Sequence, residues 1–249
     1  VAAPAIGGLL VGIIGVAGVY YTISVLYFLS IVLLIPIKIT QTNHSESNDQ
    51  KPSYAREILD GWKYIRSNEI VLILLAVGLI TVLFGMPYNM LLPVYTADIL
   101  DVGPGALGML MSITGIGALI ASLAMASLGN YQYKGLLLIA CTIFFGIGIM
   151  GLGGSTVFWA AAIMMLPIGV GQTSRMALNN TMIMIHSKPE MHGRVMSVLM
   201  MEFGIMPLGS MPMAAIADYI GVDKALMVSG AIVVFLGIFL GIKPVMRKI

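Results

Sequence analysis

Long apolar runs alternate with short polar breaks along most of this 249-residue chain. A helix needs roughly 20 apolar residues to cross a ~30 Å hydrocarbon core. We read eight segments of this kind, at residues 1–15, 18–37, 70–95, 104–128, 134–153, 156–178, 194–216 and 222–242. The first is shorter than a full span, as expected of a chain whose start is missing; Val1 also stands where a methionine would. The sixth is expected to continue as a helix to about residue 186. The segments are apolar nearly all round, so amphipathic periodicity says little about which face is buried. Residues 39–69 break the pattern. They open with a polar run from Thr40 to Gln50 that reads as a flexible linker. From Tyr54 to Asn68, Ile58, Trp62 and Ile65 recur at helical spacing beside Arg56, Glu57, Asp60, Lys63 and Arg66. That spacing predicts an amphipathic helix on the membrane surface. The chain thereby divides into two helices (residues 1–38), a linker with its helix (39–69) and six helices (70–249).

Composition points the same way, to an all-α polytopic membrane bundle. Hydrophobic residues make up 59% of the chain and charged residues 10%, against about 25% charged in a soluble domain. The 29 glycines suit membrane helices that approach closely. One cysteine, Cys141, excludes an intrachain disulfide or a Cys-based zinc site. A net charge of +2 argues against a nucleic-acid partner. The charges also sort by side. Alternate loops place Lys38, Lys51, Arg56, Lys63, Arg66, Lys134, Lys188, Arg194, Lys243, Arg247 and Lys248 on one side, which is 11 of the 13 basic residues. The other side holds Lys224 with Asp98, Asp101, Asp218 and Asp223. The positive-inside rule makes the first side cytoplasmic, with the linker and the C-terminus. A multi-pass location in the cell membrane follows.

Several short motifs recur in a recognisable order. Ala3-Pro4-Ala5-Ile6-Gly7-Gly8 is similar to a Gly-Pro-x-x-Gly-Gly helix motif. Gly129-Asn130-Tyr131-Gln132-Tyr133-Lys134-Gly135 resembles a degenerate Gly-x-x-x-Asp-Arg-x-Gly loop, with Asn130 where an acid is usual. His192-Gly193-Arg194-Val195-Met196-Ser197, followed by Met206-Pro207-Leu208-Gly209, resembles an Arg-Gly-Arg-Val-Met-Ser…Pro-Leu-Gly run. Gly61-Trp62-Lys63-Tyr64-Ile65 matches a Gly-x-x-Tyr helix ahead of the next span. Together these resemble the major facilitator superfamily, in the branch of the enterobactin exporter, macrolide efflux proteins and transmembrane secretion effectors. The resemblance covers essentially the whole chain and implies helices five to twelve of a twelve-helix bundle. It further implies two pseudo-symmetric halves around a central cavity, alternating access, and antiport associated with the Pro4, Gly7 and Gly8 motif. Gly129, Asn130, Lys134, Gly193, Arg194 and Pro207 then belong to structural and gating motifs.

Two charges lie inside spans. Glu202 is an intramembrane acid and Arg175 the intramembrane base; such groups usually face the bundle interior or a cavity. Arg175 lies about 16 Å before the end of its helix and Glu202 about 13 Å after the start of its own, at 1.5 Å per residue. The similar depths predict a contact, direct or through water. The alternative is two independent charges that snorkel to the interface. Glu202 itself is either a proton-coupling or substrate-contacting carboxylate, or half of a structural pair. Gln172, Arg175 and Asn179 share a helix face, and that stripe either lines a cavity or bonds neighbouring helices. Tyr88 and Asn89 follow Pro87, which predicts a kink, moving in gating or static. The methionines read as core filler, though their flexible shape also suits apolar drugs.

No nucleotide, metal or other cofactor motif is present, and no Ser/His, paired-acid or His-Glu constellation lies in a span. An enzyme is not expected. The residues predict a secondary active transporter that exports small amphipathic molecules by proton antiport, with lipid, a small-molecule substrate and protons as partners. The alternative is a non-transporting receptor or scaffold on the same bundle.

Overall fold

In the computed structural model the described residues are 3–34, 54–128 and 131–247, and no strand occurs among them. The helices are α1 (Ala3–Leu34), α2 (Tyr54–Ser67), α3 (Glu69–Ile80), α4 (Tyr88–Asp98), α5 (Pro104–Ser127), α6 (Lys134–Gly153), α7 (Phe158–His186), α8 (His192–Ile220), α9 (Val222–Ile242) and α10 (Pro244–Arg247). Among the described residues five stretches are long and apolar enough to cross a membrane: Glu69–Asp98, Gly105–Ser127, Lys134–Gly153, Pro189–Ile220 and Val222–Ile242. Helix α7 has the length, 29 residues, but Gln172, Arg175, Asn179 and Asn180 dilute its apolar character. It is instead held on several sides, packed against α3, α5 and α6.

Two expectations change. Residues 1–15 and 18–37 were expected as separate segments, yet α1 runs unbroken over 32 residues. The intervening Gly15-Val16-Ala17-Gly18 holds no proline, and glycine in a helix interior costs only about 1 kcal/mol, too little to end it. Helix α2 forms as expected but does not simply lie on a surface. Its Ile65 is buried in the bundle, while Trp62 is exposed. Gly61 lies against the side chain of Arg194 on α8, so two of the sequence motifs meet in space.

Asn68 joins α2 to α3. Its side chain accepts from the Val71 amide and caps α3. It also donates to the His186 carbonyl, 2.9 Å away at the end of α7. The Tyr64 hydroxyl accepts from the Lys188 amide at 2.9 Å. These bonds satisfy backbone groups that helix ends leave open.

Between α3 and α4 the helix widens into a π-turn over Thr81–Gly85. The Met86 amide reaches back to the Thr81 carbonyl at 3.0 Å. Pro87 has no N–H and cannot extend the ladder. The Ser229 hydroxyl of α9 donates to the Phe84 carbonyl within this break. The expected irregularity at Pro87 is therefore a π-turn followed by a restart at Tyr88.

Glycines set the helix spacing. A Cβ on Gly117 of α5 would meet the Val170 amide nitrogen of α7 at 3.0 Å, and one on Gly146 of α6 would meet the Gly230 carbonyl oxygen of α9 at 2.8 Å. Only a residue without a side chain permits such approach. The apolar core falls into two clusters. One surrounds Tyr88, Tyr95, Phe145 and Ile168; the other surrounds Ile65, Leu74, Leu138 and Met182. Buried Thr81, Thr142, Ser174, Arg175, Glu202 and Ser210 occupy the helix stretches between them.

Candidate functional site

The polar belt opens onto two neighbouring cavities. The larger, of about 350 Å³, lies between α4, α5 and α7. Tyr88, Asn89, Thr114, Gln172 and Thr173 supply polar groups, and Leu92, Met111 and Met165 supply apolar wall. Among the described residues no charged side chain lines it. Tyr88 is buried because the helix restarts directly after Pro87 and turns its ring against Phe145, with centroids 6.1 Å apart. Its hydroxyl donates to Gln172 Oε1 at 2.8 Å. The Gln172 amide in turn donates to the Met86 sulfur at 3.3 Å.

The smaller cavity, of about 20 Å³, holds the charges. Arg175 and Asn179 reach it from α7, Glu202 and Leu199 from α8, and Gly78 and Val82 from the α3 side. Arg175 is 3% exposed, Asn179 2% and Glu202 6%. Neither charge snorkels to the interface. The Glu202 carboxylate rests on Gly78, where an added Cβ would fall 2.9 Å from Oε1 and 3.0 Å from the carboxyl carbon. Arg175 and Glu202 are close enough for each to feel the other's charge. Among the described residues, Arg175 Nε and Asn179 Oδ1 are buried without a hydrogen-bond partner. Met86 lines this cavity too, so its sulfur stands between the charged pocket and the Gln172–Tyr88 pair.

The sequence candidates therefore separate into two groups. Tyr88, Asn89 and Gln172 share the larger cavity; Arg175, Asn179 and Glu202 share the smaller. Gln172, Arg175 and Asn179 share a face of α7 but not one cavity, because Met86 and the α3–α4 break divide them. Pro87 is buried at that break and Pro207 is exposed within α8. Lys134 donates to the Tyr131 carbonyl at 2.8 Å. Arg194 packs on Gly61, and Gly193 is exposed at the start of α8. Pro4, Gly7 and Gly8 lie within α1, while Gly129 and Asn130, with most of the linker, lie outside the described residues. Gly78 and Met86 were missed. A glycine between Val77 and Leu79 and a methionine before Pro87 carry no polar signal, and only packing reveals them.

A family model described as Major Facilitator Superfamily matches residues 1–208. Macrolide efflux protein A of Streptococcus pyogenes is 28% identical over 201 residues, covering 80% of this chain and 50% of that protein. The staphyloferrin A transporter of Staphylococcus aureus is 25% identical over 230 residues, covering 91% of this chain and 56% of that protein. The macrolide efflux protein A of Enterococcus faecalis is 28% identical over 149 residues, or 59% of this chain and 46% of that protein. The chain thus spans about half the length of the curated relatives it matches.

Proposed function

Because the chain belongs to the major facilitator superfamily, we propose that it works as a secondary active transporter that exports small amphipathic molecules in exchange for protons. The observation that carries this reading is the cavity of about 350 Å³ beside a buried acid and base. Ligand pockets fall in the range of roughly 300–1,000 Å³, apolar with a few placed polar groups. Here Tyr88, Asn89 and Gln172 supply the polar groups, and methionines the adaptable wall. A lining without charge suits a neutral amphipathic substrate, in keeping with relatives named for macrolide efflux.

Glu202 is the coupling carboxylate in this reading. Its partner Arg175 keeps the ionised form tolerable in the bundle, and protonation would free the base to shift. The break at Thr81–Gly85 supplies Val82 to the smaller cavity and directly precedes Tyr88 and Asn89 of the larger, so a movement of α4 against α3 would alter substrate and charge sites together. The Pro4, Gly7 and Gly8 motif of α1 and Pro207 of α8 belong to the same gating apparatus. The residues up to 38 serve as the end of the N-terminal half and residues 70–249 as the C-terminal half. The protein sits in the cell membrane with the linker and C-terminus in the cytoplasm.

The test uses the full-length protein in proteoliposomes. Efflux of ethidium and of a labelled macrolide is followed with and without an imposed proton gradient. Gradient-driven efflux is expected in the wild type and at least a tenfold loss in Glu202→Gln. Unchanged efflux in the variant removes Glu202 from coupling. No gradient response for any probe removes proton antiport.

A further inference from the structure

We infer that Arg175, Asn179 and Glu202 enclose a binding site for a single ordered water, which bridges the buried acid and base in place of a direct ion pair. The first observation is chemical complementarity. Arg175 Nε is a donor and Asn179 Oδ1 an acceptor; both are buried, and neither has a partner among the described residues. An unsatisfied buried polar atom costs about 1–3 kcal/mol, and two beside one cavity are rarely left so. The second observation is size. The cavity they line is about 20 Å³. A water needs roughly 10–15 Å³ by the same kind of measure, together with two to four polar partners. The site therefore fits one water and no larger molecule.

The donor and acceptor balance closes on water. It accepts from Arg175 Nε–H and donates one hydrogen to Asn179 Oδ1 and the other to the Glu202 carboxylate, which lines the same cavity. A metal cation fits poorly, because the guanidinium offers only donors and repels positive charge. An anion fits poorly beside the carboxylate. Gly78 completes the arrangement. It lets the carboxylate lie against α3, which leaves room between carboxylate and guanidinium. A pair separated by water keeps its attraction without a charge-assisted bond that must break before the carboxylate takes a proton. The assignment rests on this geometry and does not depend on the transport reading.

Two measurements on the purified full-length protein test it. A structure at a resolution that shows ordered solvent should hold one peak within hydrogen-bonding distance of both Arg175 Nε and Asn179 Oδ1. A dry site, or a direct bidentate Arg175–Glu202 pair, overturns the inference. Infrared spectra in water and in ¹⁸O-water should show an O–H stretch with an isotope shift. That band should persist in Asn179→Asp, which keeps the acceptor, and vanish in Asn179→Leu, which fills the site without one. A band that survives Asn179→Leu, or that is absent from the folded wild type, also overturns it. Neither readout needs transport, so failure of efflux and failure of the water site are told apart.

Discussion

At the scale of single residues, the charged pocket behaves as one unit. Breaking a buried pair by removing one partner costs about 3–5 kcal/mol, because the other charge is left uncompensated. Arg175→Leu and Glu202→Leu are each expected to lower thermal stability sharply in detergent. The double variant should lose less than either single one. Equal losses in all three would show that the two charges act independently. Gly78 makes a sharper prediction. Gly78→Ala places a methyl on the carboxylate, and overpacking of this kind costs typically 1–3 kcal/mol. Glu202→Asp, with its shorter reach, should restore much of that loss in the Gly78→Ala background, though not in the wild type. Destabilisation by Gly78→Ala that Glu202→Asp leaves unrelieved would mean that the contact is not with the carboxylate. The charges were legible in the sequence because ionised groups in an apolar span demand explanation. Gly78 was not. It is one of 29 glycines, and its importance comes from a side chain on another helix more than a hundred residues away.

At the scale of elements, proline announced the break between α3 and α4, but its form was hidden. Pro87 removes an N–H, which is readable anywhere in a sequence. The π-turn before it depends on neighbours. Ser229 donates to the Phe84 carbonyl, and Gly209 of α8 lies so close to Leu83 that an added Cβ would fall 2.6 Å from its Cα and 2.8 Å from its carbonyl carbon. Removing the Ser229 hydroxyl should cost about 1 kcal/mol, the usual net worth of one hydrogen bond. A methyl at Gly209 meets rigid backbone, not a movable side chain, so Gly209→Ala should cost clearly more than Ser229→Ala when unfolding is followed in mixed micelles. The reverse order would place the support of the break in the hydrogen bond. The same distinction explains α1. Hydropathy reports which residues prefer lipid, and it reports poorly where one helix ends if neither proline nor a polar run intervenes.

At the scale of the whole molecule, the charge pattern and the packing converge. Counting α7 with the five long apolar stretches gives an expected six passes, an even number, so the chain should leave the bundle at the end where it entered. Contacts agree: Val245 of α10 lies beside Tyr64, Asn68, His186 and Lys188 around one cleft. Lys63, Arg66, Lys188 and Arg194 collect near that end. At the other end the Tyr95 hydroxyl bonds the Leu152 and Ser155 carbonyls at 2.8 and 2.6 Å, and Gly153 packs on the backbone of Asp223 and Met227. Asp98, Asp101, Asp218, Asp223 and Lys224 belong to this second end. Sidedness is an expectation drawn from the order of charges along the chain alone, whereas the cavities depend on which helix faces meet. Lys188 and Lys224 are both exposed, at opposite ends. In a cysteine-free full-length background that includes Cys141→Ser, Lys224→Cys should react with a membrane-impermeant maleimide on intact cells. Lys188→Cys should react only after the membrane is permeabilised, because basic loops are retained in the cytoplasm. Reversed labelling would invert the orientation, and with it the direction assigned to transport. Labelling of both positions on intact cells would mean that α8, which separates them, does not cross.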